Sequence, residues 1–290
     1  MRHFLLWTLY APLASFGDVA VGGTRPSFSY PTKSSIIGML AAALGLRREQ
    51  SSAIEVLAQS LGFAVRVERG GERFEDFHTV QTPKQKILND NTWIATRKDA
   101  LHPIHKSNDG VATILSTREY VQNGIYSVCV WLKEETAPYS LESLANALQS
   151  PVFTLYLGRK SCPLALPLKP FHCETLTLTD ALRQYNEKAQ PLAIIHREYG
   201  AEKKELVAKC WDVLQKKPSI FDDFSPDNSS QQHYVYWDAS LPSHEAGFST
   251  TSFQQKRRDE PRSRTKWQFG ERFEYSAILD EPATPEAQHD

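Results

Sequence analysis

HFLLWTLYAPLASFGDVAVGGTRPSFSYPTKSSIIGMLAAALG, residues 3–45, sets out a strand, a glycine-bearing loop and a helix in that order. Phe4, Leu6, Thr8 and Tyr10 alternate with Leu5, Trp7 and Leu9, so His3–Ala11 is apolar on both faces, as a strand buried on two sides must be. Thr32 or Ser34 offers an N-cap, and Ile36, Ile37, Leu40, Ala43 and Leu44 follow at helical spacing as far as Gly45. The basic start and apolar run of Met1–Ser15 also resemble a secretory leader. Thr8, Tyr10 and Pro12 interrupt that run, and the alternation predicts a strand instead.

Outward from this stretch, Ser52–Leu61 reads as a second short helix. Phe63, Val65 and Val67 alternate with Ala64, Arg66 and Glu68 as in a strand, and Phe74–Val80 continues it as a hairpin. Residues 81–118 have no sustained period and carry Asn-Asp-Asn, His-Pro and Asn-Asp-Gly turn signals, which makes them a candidate protruding arm. Ile125–Leu132 then reads as a strand, Leu141–Leu148 as a helix and Val152–Leu157 as a strand. The order is βα(α)ββαβ, an α+β fold of the ferredoxin-like kind used by RRM domains. The expected organisation is an RRM-like domain over 1–170 with the arm inserted at about 81–118, then a C-terminal region over 171–279. Within that region Thr179–Tyr185 and Ala201–Lys216 read as helices, Phe224–Gln232 as a loop and Trp267–Ile278 as a returning strand or hairpin. Residues 280–290 read as a disordered acidic tail.

The formal net charge is -1, so no global basicity points to nucleic acid. Clusters exist locally: Arg25, Lys33, Arg47 and Arg48; then Arg159, Lys160 and Lys169; then seven Lys/Arg against three acids over 256–272. Such clusters suit phosphate binding or a solvated surface equally. Gly22 and Gly23 permit close backbone approach, and a helix start near Lys33 offers free N–H groups to an anion. In LYLGRKSCPLALPL, residues 155–168, Gly158 precedes two cations and suits a phosphate passing near main chain, while Tyr156 fits either base stacking or core packing. Cys129, Cys162, Cys173 and Cys210 form no C-x-x-C pair, so no metal is expected. No complete nucleotide-binding loop, triad or carboxylate cluster is present, and no cofactor is expected. His78, His102, His105, His172 and His196 remain as general acid/base candidates whose convergence a sequence cannot show. No apolar run reaches the roughly 18 residues of a membrane span.

Several segments together resemble a known family. GTRPSFSYPTKSSIIGMLAAALGL at 23–46, FHTV at 77–80, TREY at 117–120 and YLGRKSCPL at 156–164 are similar, in the same order, to the CasD family of type I-E CRISPR Cascade complexes. RDEP at 258–261 and WQFGERFEY at 267–275 resemble its C-terminal segment. The resemblance implies a RAMP-superfamily domain with a long thumb, acting in antiviral defence as a cytoplasmic, non-catalytic subunit that holds the guide RNA's 5′ handle. It implies CasC-like backbone and CasA-like large subunits as partners, and target DNA met through the assembled complex. By motif, it assigns RNA binding to Arg25, Lys33, Ser34, Arg118, Tyr156, Gly158, Arg159 and Lys160. The alternative function is a metal-independent endoribonuclease that processes precursor RNA, as relatives in type I-C systems do.

Overall fold

The computed structural model describes residues 1–20, 22–84, 89, 96, 99, 111–134, 137–189, 232–248, 253–263 and 268–280. Strand β1 (Arg2–Tyr10) leads through four two-residue strands, β2 (Leu13–Ala14), β3 (Phe16–Gly17), β4 (Thr24–Arg25) and β5 (Ser27–Phe28), to helix α1 (Lys33–Ala43) and helix α2 (Ser51–Ser60). Next come β6 (Leu61–Arg69), β7 (Glu72–Pro83), β8 (Val111–Gln122), β9 (Ile125–Leu132), helix α3 (Leu141–Gln149) and β10 (Phe171–Thr175). Helix α4 (Leu178–Ala189), β11 (Gln232–Asp238), the one-turn α5 (Ser243–Ala246), β12 (Phe253–Ser263) and β13 (Gln268–Asp280) complete the described elements.

Seven strands form one antiparallel sheet in the order β10-β1-β9-β6-β11-β13-β12. Its first four strands have the ferredoxin-like arrangement, with the fourth and third strands flanking the first. β1 is buried on both faces, as its sequence requires. Leu5, Trp7 and Leu9 pack with α1, α2 and α3 on one side, while Phe4 and Leu6 meet Leu182 and Tyr185 of α4 on the other. Thr8 hydrogen-bonds the Tyr185 hydroxyl at 2.9 Å, which satisfies the polar group that interrupts the apolar run. Strands from both sides of residue 170 share this sheet. Among the described residues no helix is long and apolar enough to cross a membrane.

The fourth strand is not where the apolar run Val152–Leu157 suggests. That segment contributes one isolated bridge, Tyr156 to Pro163, and the strand beside β1 is Phe171–Thr175, with Leu5 opposite His172. Val152 and Phe153 donate their N–H groups to Ala43 and Ala42 carbonyls at 3.0 and 3.2 Å. The run therefore closes the C-terminal end of α1, whose last carbonyls need donors, and has no ladder to join.

β7 and β8 form a second, narrow sheet paired from Glu72–Gln122 to Pro83–Val111, with β2 and β4 flanking β8. The unpatterned stretch thus begins and ends as strand. Phe77, Ile114 and Leu115 are exposed there. From Glu72 to Thr82 every side chain of β7 is exposed or half-buried, so its sequence lacks the apolar alternation that marks β6. The middle of the arm with Trp93, Ile94 and Ile104, the 201–216 helix with Cys210, the 224–231 part of the loop and the 281–290 tail lie outside the described residues, as do His102, His105 and His196.

Candidate functional site

In RRM proteins, RNA bases stack on the open face of the sheet. Here α4 and α5 cover that face: Leu178, Ala181, Leu182, Tyr185 and Ala246 pack on Phe4, Leu6, Trp131 and Trp237. The concave surface lies instead at the helix side of β1, where the loop leaving β1, the start of α1 and the 154–159 segment enclose a cleft of about 410 Å³. Ser15 N–H donates to Leu157 O at 3.0 Å, joining the first and last of these. Arg159 donates from Nη2 to the Arg25 carbonyl at 3.2 Å and from Nη1 to the Glu119 carbonyl at 3.1 Å. Arg25, Arg48 and Arg159 line the cleft against the single acid Asp18 among its lining residues.

Five of the eight predicted RNA-binding residues meet here: Arg25, Ser34, Tyr156, Gly158 and Arg159. Arg25 is exposed, and its guanidinium donates to the carbonyls of Gly22 at 2.6 Å and Thr24 at 3.0 Å. Ser34 is half-buried, its Oγ 3.1 Å from that of Thr32. Tyr156 is 37% exposed, so it is not a core residue. Arg118 sits half-buried on β8, opposite Asp76 on β7 and Arg25 on β4, outside the cleft lining. Lys160 is exposed beside the cleft and does not line it. Arg48 is the residue that motif matching missed, although the basic cluster at 22–48 pointed to it.

Gly158 has a different reason from the one its sequence context suggests. Its φ is +84°, and a Cβ built there would lie 1.6 Å from the Ser15 carbonyl oxygen. The close backbone approach it permits is to the chain itself. Burial pushes the Cys162 thiol up from its ordinary pKa, in keeping with a packing role.

Lys33 is a correction. Its side chain is fully buried, with Nζ 3.0 Å from Asp238 Oδ2 and 2.7 Å from Glu260 Oε2. The free helix start is corrected with it. Lys33 N–H donates to Asp259 Oδ2 at 2.8 Å and Ser35 N–H to Thr32 Oγ1 at 3.3 Å, so an internal carboxylate and a cap already occupy the positive end of α1. Arg272 binds Asp259 in bidentate fashion at 2.7 and 3.0 Å and reaches Glu274 at 2.6 Å. Arg257 and the Tyr30 hydroxyl also donate to Glu274, at 3.0 and 2.8 Å. Lys33, Lys133, Arg257 and Arg272 thus face Asp238, Asp259, Glu260 and Glu274, four cations against four carboxylates. This neutral network straps β11, β12 and β13 to the start of α1.

The network has an acid limit. Burial alone raises the Asp238 carboxyl, but Lys33 and Lys133 outweigh it and hold the group at about 2, against an ordinary 3.8. The folded value lies below the unfolded one. The contribution is therefore complete above about pH 4 and is lost as pH falls toward 2. Urea unfolding across that window is expected to lose about 2 kcal/mol from this group. The Asp238→Asn variant should show a flatter profile, and parallel profiles would contradict the assignment.

Of the candidate histidines, His78 contacts Asp76 on β7, and His172 stacks on His3 with ring centres 5.2 Å apart. Neither lines the cleft. The described residues contain no group of three or more His, Cys, Asp or Glu able to hold a metal.

The family model described as CRISPR-associated protein (Cas_Cas5) matches residues 4–274. The chain belongs to this Cas5 family. Within the curated relatives, the CRISPR system Cascade subunit CasD of Escherichia coli (strain K12) is 31% identical over 193 residues, covering 64% of this chain and 78% of CasD. A solved chain described as a CRISPR RNA-guided surveillance complex matches with TM-score 0.54 at 20% identity, over 97% of this chain and 91% of its own. A second, described as the crystal structure of a Cas protein, matches with TM-score 0.53 at 20% identity, over 97% and 99%. The two structures share the fold of this chain; the cleft residues rest on the geometry above.

Proposed function

We propose that this Cas5-family chain is a non-catalytic subunit of a type I-E RNA-guided surveillance complex and holds the 5′ handle of the guide RNA in the cleft. The observation that carries the reading is the tie between Arg159 and the Arg25 backbone, which brings two basic loops around one cleft with Tyr156 exposed at its rim. Cationic loops position phosphates, and an exposed ring stacks an unpaired base for roughly 1 to 3 kcal/mol. Arg118 and Lys160 lie beside this path and extend it. The 31% identity to a Cascade subunit supports CasC-like backbone and CasA-like large subunits as neighbours, with target DNA engaged only through the assembly.

Two measurements test it. The chain should bind guide RNA of its own repeat, and Tyr156→Ala should weaken that binding by about 1 kcal/mol or more; unchanged affinity would remove the cleft from the reading. Precursor RNA incubated with the chain in EDTA should stay intact. Site-specific cutting that disappears in His78→Ala would replace the scaffold reading with the endoribonuclease one.

A further inference from the structure

Arg159 projects from a loop that its own backbone closes: Cys162 N–H donates to Arg159 O at 2.9 Å, and Leu157 N–H to Cys162 O at 2.8 Å. From this fixed base its guanidinium donates to Glu119 O on β8 and Arg25 O on β4. The guanidinium carbon also lies 4.5 Å from the centre of the Tyr120 ring. The strands it joins pair in parallel through two positions only, Thr24 with Thr117 and Arg25 with Arg118. So short a ladder holds weakly by itself, because one hydrogen bond is worth roughly 1 kcal/mol net.

We infer that Arg159 is a positioning residue: it fixes the β4–β8 pair, and through it the exposed Arg25 guanidinium, instead of neutralising a phosphate itself. The inference rests on the RNA-binding reading of the cleft. A phosphate contact needs positive charge, which lysine keeps. A staple across two carbonyls and a ring needs a planar fork, which lysine lacks.

The test is affinity for a 3′-labelled single-stranded guide RNA, measured against salt on the full-length chain. Wild type, Arg25→Ala, Arg159→Ala, Arg159→Lys and the Arg25→Ala/Arg159→Ala double variant are compared, with thermal unfolding alongside. Arg159→Lys is expected to weaken binding about tenfold, as much as Arg159→Ala. The double variant should bind no more weakly than Arg25→Ala, and its salt slope should fall by about 0.7, the loss of one phosphate contact. Wild-type affinity in Arg159→Lys, or a slope falling by about 1.4 in the double variant, would overturn the positioning role while leaving the RNA site in place. If Arg159→Ala does not fold, the lysine variant carries the comparison. Absence of binding by the wild type would overturn the RNA reading itself, and this inference with it.

Discussion

Lys33→Ala is expected to lose about 3 to 5 kcal/mol of stability in the absence of any RNA, the cost of breaking a buried ion pair from one side. The side chain is completely buried, and its removal takes from Asp238 and Glu260 the cation they share. Lys133, 3.7 Å from Asp238 and only partly buried, is too far from ideal geometry to replace it. Lys33→Met should be nearly as damaging, because it restores volume and not charge. Lys160→Ala serves as the contrast: that side chain is exposed, and its loss should change stability by no more than about 0.5 kcal/mol. Urea unfolding of the RNA-free chain decides the matter. A wild-type midpoint in Lys33→Ala would return Lys33 to the surface role that its place in the motif suggested.

Lys33 also shows where sequence reading stops. The elements it identified are those whose burial pattern is apolar: β1 through two-sided alternation, α1 through Ile36, Ile37 and Leu40, β9 through its unbroken run. β12 was invisible by the same logic. FQQKRRDEPRS is mostly polar and contains Pro261, yet it pairs along β13 and turns Asp259 inward. What makes that burial affordable is Arg272 on the next strand and the Lys33 backbone 226 residues away. Partners so distant in sequence leave no periodicity.

The site was legible in a similar, partial way. Motif and charge named the two loops that meet at the cleft, but not the reason they meet. The 155–168 segment precedes the fourth strand and does not follow it: β10 runs antiparallel to β1, with Phe171 opposite Leu6, so the segment entering β10 arrives at the end where the chain leaves β1. The contact itself comes from Ser15 N–H finding Leu157 O and from the reach of Arg159. Polar groups on loops must be satisfied somewhere, and which carbonyl accepts each donor is settled only once the chain has folded.

Gly158→Ala tests that meeting point with the smallest possible change. The residue has φ +84°, where a β-carbon costs of order 1 to 3 kcal/mol in strain. The built Cβ lies 1.6 Å from Ser15 O and 2.8 Å from its carbonyl carbon, both backbone atoms that no rotamer change can move aside. One of the two segments must therefore retreat, and the Ser15–Leu157 hydrogen bond is the contact nearest to the retreat. Strain and the lost bond together predict a destabilisation of about 3 kcal/mol or more. Because Tyr156 and Arg159 flank the glycine, guide-RNA binding should fall as well, even under conditions where the variant remains folded. Gly17→Ala provides the control from the loop that carries Ser15, since a Cβ there meets nothing within 4 Å. Unfolding and RNA affinity are measured on both variants. Equal stability of Gly158→Ala and Gly17→Ala would mean that the two loops are not in contact as described, and the cleft would lose its floor.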